Sequence, residues 1–386
     1  MPRLLFLSER YPPDLGGVAT SAGRISRALA EIGNDVDVIT WTRMLEAGVV
    51  AQTGGALAIY RMGRFREWDA TMPHTLNLFD WLLSKHPYDA IWGHYLAPAG
   101  FLAVWFGRLK NIPSTVSVRG NDLDRDIYPP GDFARLKWTI EHANCVTAVT
   151  AELAAKVAAL TGREDVVCLK NAIDLSVFTT PVALDGVRAL RQKLGIRPDE
   201  VVLGFAGELR EKKGLQFLLE ALRRVRESRS ACLLVIGEVR PSEMPRLMQW
   251  AGQGSLTEHR VLVTGQLATP AEVNEHLRIC DVYLQPSLWD GMPNALLEAM
   301  AAGCLAIASD SGGIPEAITN GANGIVVPRW QLNKLGDVVL DWLARDPAES
   351  GRIRQAARDR IARDFGLDQE QRQLQALLAR LIPSSS

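Results

Sequence analysis

Asp290-Gly-Met-Pro-Asn-Ala-Leu-Leu-Glu298-Ala-Met-Ala-Ala-Gly303 sets two carboxylates eight positions apart across a glycine-containing turn and the start of a helix. The β-rich run 282–285 predicts a strand that delivers the chain into this turn. Pro293 suits a first helical turn and the apolar run behind it anchors the helix, so backbone N–H groups near Gly291 face outward without helical partners. Such a start receives a polar or anionic ligand. Glu298 can accept two hydrogen bonds from a neighbouring vicinal diol, of the kind a ribose carries.

Working outward, β-rich runs alternate with helical patterns: 4–8, 36–40, 57–61, 90–93, 115–118, 145–149 and 166–169 form a first set. A second set begins at 201–206 and continues through 233–236, 261–264, 282–285, 305–309 and 325–327. Each set implies a parallel sheet with crossover helices, so the chain reads as α/β with two Rossmann-like domains. Residues 171–190 lack strong periodicity and suit a linker. The length of 386 residues, the 47% hydrophobic and the 23% charged content are all compatible with two cores.

A formal net charge of −1 argues against a nucleic-acid partner. The five cysteines have no CxxC spacing and read as reduced core residues, which points to a cytoplasmic setting. No apolar run approaches the roughly 20 residues of a spanning helix. Residues 1–8 read as a strand rather than a signal peptide. Peripheral contact with the inner face of a membrane stays open. Trp41, Trp68, Trp81 and Trp92 read as core, with stacking on a sugar or facing a bilayer as the alternative.

Several turns after strands carry candidate chemistry. Gly16-Gly17 before a helix permits close backbone approach to a phosphate. Arg24, further along that helix, reads either as an anion contact or as part of a solvated face. Lys213 precedes a helix start within Gly207-Glu-Leu-Arg210-Glu-Lys-Lys213-Gly214 and can reach a diphosphate. His94 ends a buried strand at the carboxyl edge where α/β folds place ligands. It reads as an acceptor contact or a packed histidine. Asp122, in Arg119-Gly-Asn-Asp122, reads as an acceptor contact or a turn-stabilising aspartate. Asp122, Asp124 and Asp126 have the spacing of a metal-diphosphate site, but the doubled Rossmann pattern supplies cations and helix dipoles in its place, so no metal is expected. No HExxH, Gly-x-Ser-x-Gly or GxxxxGK[ST] motif occurs.

On the Asp290–Glu298 motif, the Gly16-Gly17 turn, Lys213-Gly214 and Gly312-Gly313-Ile-Pro-Glu316, the chain resembles the retaining, GT-B-fold glycosyltransferases of family 4 over nearly its whole length. The resemblance implies an acceptor-binding domain over 1–175 and a nucleotide-sugar-binding domain over 176–366, with a cleft between them. The last helix, within 367–386, would cross back to the first domain. It implies transfer from a nucleotide-diphosphate sugar to a hydroxyl acceptor (a glycan, a lipid-linked or a small molecule), without metal or further cofactor. Glu298 would hold the donor ribose and Asp290 would orient the sugar, within a donor-binding turn that includes Gly291, Met292, Pro293 and Asn294. Gly16, Gly17 and Arg119 would also face the donor, His94 and Asp122 the acceptor.

Three positions depart from the family pattern. Asp290 stands for a glutamate, and Arg119 for a histidine that touches the donor sugar. Glu208 stands for an arginine that, with the lysine at 213, stabilises the departing diphosphate. Either Arg210, two residues on, supplies the missing cation, which is the favoured reading, or leaving-group stabilisation is lost. A non-catalytic nucleotide-sugar-binding or scaffolding paralogue and a GT-B sugar-nucleotide epimerase remain alternatives. Base, sugar, acceptor and oligomeric state are not legible.

Overall fold

A computed structural model describes residues 1–14, 16–55, 57–124, 127–252 and 255–382. Arg125 and Asp126 of the acidic run, and the Ser384–Ser386 tail, lie outside the described residues. The chain divides into two compact units, one comprising Met1–Asn171 with the segment from Asp368, the other Ala172–Leu367.

The first unit carries an eight-stranded sheet of β1 (Arg3–Ser8), β2 (Asp35–Thr42), β3 (Val50–Thr53), β4 (Ala58–Gly63), β5 (Ala90–His94), β6 (Ser114–Val118), β7 (Cys145–Ala148) and β8 (Val167–Cys168), in the order β3-β4-β2-β1-β5-β6-β7-β8. Its central strands are covered on both faces and are therefore almost continuously apolar: Leu4, Leu5, Phe6 and Leu7 are at most 2% exposed. β3 is the exception to the expected all-parallel sheet. It pairs antiparallel with β4 at the edge, and its brevity and exposure conceal it from a pattern search. Strand order reverses between β1 and β5, whose carboxyl-terminal residues Ser8 and His94 are paired. In a doubly wound sheet such a reversal is where ligands bind.

The second unit repeats the plan with β9 (Val201–Ala206), β10 (Ala231–Ile236), β11 (Val261–Val263), β12 (Val282–Gln285), β13 (Leu305–Ser309) and β14 (Ile325–Val327), ordered β11-β10-β9-β12-β13-β14 and parallel throughout. Its reversal lies between β9 and β12, so the turns after Ala206 and Gln285 leave from neighbouring strand ends.

The division falls at Asn171/Ala172, four residues before the boundary expected after 175. Ile173 donates its N–H to the Phe365 carbonyl and bridges to Gly366 within the second unit, whereas the Asn171 side chain is bonded within the first. Helix Leu367–Leu381 adds Leu374, Leu377, Leu378 and Leu381 to the apolar cluster around Phe6, Ile25 and Leu29 of the first unit. It also adds Glu370, which receives two hydrogen bonds from the Arg24 fork, Nε to Oε2 at 2.9 Å and Nη2 to Oε1 at 2.8 Å. Arg24 is thus neither a solvated residue nor an uncommitted cation. The Glu370 carboxylate is 1% exposed and the Arg24 side chain 11%.

Among the described residues, no helix is long and apolar enough to cross a membrane. Among the described residues the cysteines form no disulfide; four of the five are buried and Cys168 is half-buried. Trp41 and Trp92 belong to the core as read from the sequence, but Trp81 is 47% exposed.

Removing one partner of a buried pair leaves the other charge uncompensated. Glu370→Ala is expected to destabilise the first unit by about 3 kcal/mol, and Arg24→Met with Glu370→Leu by much less. Urea unfolding of the three proteins checks this, and a single-variant loss near zero would show that solvent reaches the pair.

Candidate active site

In the second unit a chain of polar side chains begins inside the sheet. The Tyr283 hydroxyl donates to Gln285 Oε1 at 2.7 Å, Gln285 Nε2 donates to Ser287 Oγ at 2.8 Å, and Ser287 Oγ approaches Asp290 Oδ2 at 3.5 Å. Tyr283, Gln285 and Ser287 are fully buried. The chain ends at Lys213, whose ammonium donates to the same Asp290 oxygen. Burial raises the Asp290 carboxyl, but Lys213, Lys212 and Arg210 outweigh it and hold the group below the usual carboxylate range.

Close backbone contacts fix the three loops that make this arrangement. Leu288 N–H donates to Lys212 O at 2.8 Å and Gly313 N–H to Gly291 O at 2.7 Å. Gly214 has φ +82° and a Cβ there would lie 2.1 Å from Pro286 O. Gly312 has φ +53° and its Cβ would lie 1.7 Å from Asp290 O. Both therefore require glycine. Gly312 and Gly313, which read from the sequence as a turn that either contacts the donor or serves structure alone, let the loop after β13 pass against the Asp290 backbone.

Helix Asn294–Ala302 starts one residue later than expected, with Pro293 as its N-cap and no side-chain cap. Gly291, Met292 and Pro293 are buried. Asn294 Oδ1 and Ser311 Oγ are enclosed without a hydrogen-bond partner among the described residues. Buried polar atoms are ordinarily satisfied, so these two are positions where a bound polar ligand would supply the missing bonds. Glu298 is half-buried and near enough to Tyr283 that its charge, after burial, pushes that phenol up.

Glu208 does not stand alone. Arg240 clasps it with two 3.0 Å hydrogen bonds, and Arg210 lies 3.6 Å from it. Arg240 is a residue that the sequence reading missed, although a signal was present. Gly207-Glu-Leu-Arg210 after β9 and Gly237-Glu-Val-Arg240 after β10 are twin turns, joined by the Leu209–Val239 bridge.

In the first unit, Gly16 caps helix Gly17–Glu31 with φ +112°, and a Cβ on Gly16 or Gly17 would meet nothing within 4 Å among the described residues. The backbone there is open to a ligand. One turn on, Ser21 Oγ is 2.9 Å from His94 Nε2. His94 is completely buried, its Nδ1 has no partner among the described residues, and burial, then Arg119 and Arg24, keep its pKa well below the ordinary value. The imidazole is therefore neutral at pH 7. Arg119 Nη2 donates to Asn171 Oδ1 at 2.5 Å, and Arg24 Nη2 approaches the same oxygen at 3.4 Å. Burial and Arg24 bring the Arg119 pKa down to about 10. Asp122 accepts the backbone N–H groups of Arg119 at 2.9 Å and Gly120 at 2.7 Å, so the turn-stabilising role is the one observed. Asp124 pairs instead with Lys156 at 2.6 Å. The two carboxylates serve different partners, and among the described residues no three of His, Cys, Asp and Glu form a group able to hold a metal ion.

The structure thus brings Lys213 to Asp290 with Arg210 nearby in one unit, and His94, Arg119 and Asp122 to neighbouring strand ends in the other. Residues 200–345 match the family model described as glycosyl transferases group 1, and residues 16–172 match that of a glycosyl transferase 4-like domain. The chain is 28% identical to a D-inositol 3-phosphate glycosyltransferase of Xylanimonas cellulosilytica, over 95% of this chain and 94% of that one. It is 26% identical to a GDP-mannose-dependent alpha-(1-6)-phosphatidylinositol monomannoside mannosyltransferase of Mycobacterium tuberculosis, over 89% of each. Among solved structures, Anabaena HepE in complex with UDP-glucose superposes with a TM-score of 0.81 at 17% identity, covering 98% of this chain and 100% of that one.

Asp290 is ionised in the folded chain at a pH where the unfolded side chain, with a pKa of about 3.9, begins to protonate. Its contribution is present above that value and is lost as pH falls through the depressed folded pKa. Asp290→Asn is expected to flatten the acid limb of the stability–pH curve. A double-mutant cycle with Lys213→Ala should return a coupling of about 1–3 kcal/mol at pH 7, and additivity would mean that the pair does not persist in solution.

Proposed function

We propose that this chain, a glycosyltransferase of the group 1 kind by both of its family matches, is a retaining hexosyltransferase that acts on nucleotide-sugar donors and works without a bound metal. The observation that carries this reading is the Lys213–Asp290 pair at the end of a buried polar chain, four residues before the start of helix Asn294–Ala302. Sugar transfer must neutralise charge that develops on a departing diphosphate, and groups fixed beforehand do this at the least reorganisation cost. The Lys213 ammonium and the Arg210 guanidinium supply positive charge, and the helix start supplies N–H donors. Because Arg240 compensates Glu208, the carboxylate in the arginine position does not cancel that charge unopposed.

In the proposed reaction, the bond between the anomeric carbon and the diphosphate oxygen breaks as the acceptor hydroxyl attacks from the same face. The hydroxyl proton passes to the departing phosphate oxygen, and the products are the glycoside and a nucleoside diphosphate. Glu298 holds the ribose diol, while Asp290 positions Lys213 and the sugar. Ser311 and Asn294 offer acceptor oxygens that the chain itself leaves unmatched. On the acceptor side, the buried neutral His94 has Nδ1 available for a hydroxyl. Relatives named for inositol phosphate and phosphatidylinositol mannoside acceptors support a small or lipid-linked alcohol in that role.

The test is nucleoside-diphosphate release from a panel of UDP-, GDP-, ADP- and dTDP-sugars, with and without EDTA. Release should survive EDTA. Lys213→Ala should lower kcat by about 10²–10³-fold, the scale of losing one preorganised charge-stabilising group, and Glu298→Ala should weaken donor binding. Donor binding without turnover across varied acceptors would sink the transferase reading.

A further inference from the structure

We propose that the carboxyl edge of β5 and β6 in the first unit is a subsite for an anionic group, phosphate or carboxylate, borne by the acceptor or by the transferred sugar rather than by the donor diphosphate. The inference rests on the transferase reading for its substrate assignment, but not for its measurement.

Asn171 Oδ1 receives hydrogen bonds from both Arg24 and Arg119, so two guanidinium groups share one amide oxygen. Only the Arg24 guanidinium is hydrogen-bonded to an acid among the described residues; Glu370 and Asp122 act on Arg119 at longer range. Arg24 is forked onto the buried Glu370 carboxylate, while Arg119 makes no ion pair within 4.0 Å among the described residues. Its nearest acid by sequence, Asp122, places its carboxylate on the backbone N–H groups of residues 119 and 120. The Arg119 Nη1 is enclosed and bonded to nothing among the described residues, and so is His94 Nδ1. An enclosed guanidinium N–H with no acceptor and no direct ion pair is costly in a folded chain, and it persists where a ligand supplies the acceptor and a close opposite charge.

The chemistry of the donor set selects the ligand. A guanidinium fork with an open N–H matches the two-oxygen edge of a phosphate or carboxylate. A neutral imidazole nitrogen can donate to, or accept from, a neighbouring hydroxyl. Together they fit an oxyanion carried next to an alcohol. A histidine in place of Arg119 would offer no permanent charge, so the arginine narrows the substrate to an anionic one.

Titration of inorganic phosphate, and separately of acetate, into the full chain by calorimetry tests the site without any turnover. Wild type should bind one of the two at millimolar concentration, and Arg119→Gln should weaken that binding at least tenfold while leaving UDP and GDP affinity unchanged. Arg119→Lys, which keeps the charge but not the fork, should fall between them and covers the case in which the glutamine variant does not fold. Binding of UDP-glucuronic acid against UDP-glucose, and of a sugar phosphate against the free sugar, then separates an anionic donor sugar from an anionic acceptor. Absence of binding up to 20-fold above the enzyme-saturating range of roughly 1 mM typical of small substrates overturns the proposal, as does equal binding by Arg119→Gln. Competition between phosphate and UDP or GDP, with both weakened alike in Arg119→Gln, would also overturn it by assigning the cation to the donor diphosphate. Failure of any of these arms leaves nucleoside-diphosphate release by the wild type unaffected, so the two readings fail separately.

Discussion

A parallel sheet lines up all its strand carboxyl ends along one edge, and where strand order reverses, the two crossovers leave toward opposite faces. The edge is then open between adjacent strands. This constraint acts in both units, between β1 and β5 and between β9 and β12. Gly16-Gly17 and His94 stand at the first reversal, and the Glu208–Lys213 turn and the Asp290 loop at the second. The chemistry-bearing residues lie where the topology leaves backbone groups unpaired, so one architectural rule locates both sets.

Within that frame, the treatment of charge differs from residue to residue. Arg24 and Glu370 are both withdrawn from solvent and matched by a bidentate fork, an arrangement that attaches the C-terminal helix to the first unit. Lys213 and Asp290 are matched at the edge of solvent, with side chains 16% and 14% exposed. Glu208 and Arg240 are more open still, at 45% and 43%, and contribute little to stability. Their effect is on local potential: the carboxylate at 208 is answered by a guanidinium from the next turn.

The three departures from the family pattern have distinct physical consequences. Asp290, where the family pattern has a glutamate, bonds to Lys213. Glu208, where it has an arginine, is bonded by Arg240. Arg119, where the family pattern has a histidine, is a cation that no described carboxylate pairs with directly, Glu370 and Asp122 acting on it only at longer range. The first two are paired directly within the unit, and the third keeps an enclosed N–H with no partner among the described residues.

The strands were legible because a strand covered on both faces must be apolar along its whole length, and the doubling of that pattern identified two Rossmann-like units. β3 was not, since a four-residue exposed edge strand carries no such run. The glycine turns, Lys213 and the Asp290–Glu298 motif were also legible, because backbone conformation and helix starts are local properties. What only the tertiary structure decided were the partnerships. Arg24 meets Glu370 across 346 residues, Lys213 meets Asp290 across 77, and Arg240 meets Glu208 across 32. Whether a charged side chain is a free cation, half of a buried pair or an enclosed group awaiting a ligand depends on which strand ends the sheet order makes neighbours. No local pattern in the sequence encodes that adjacency.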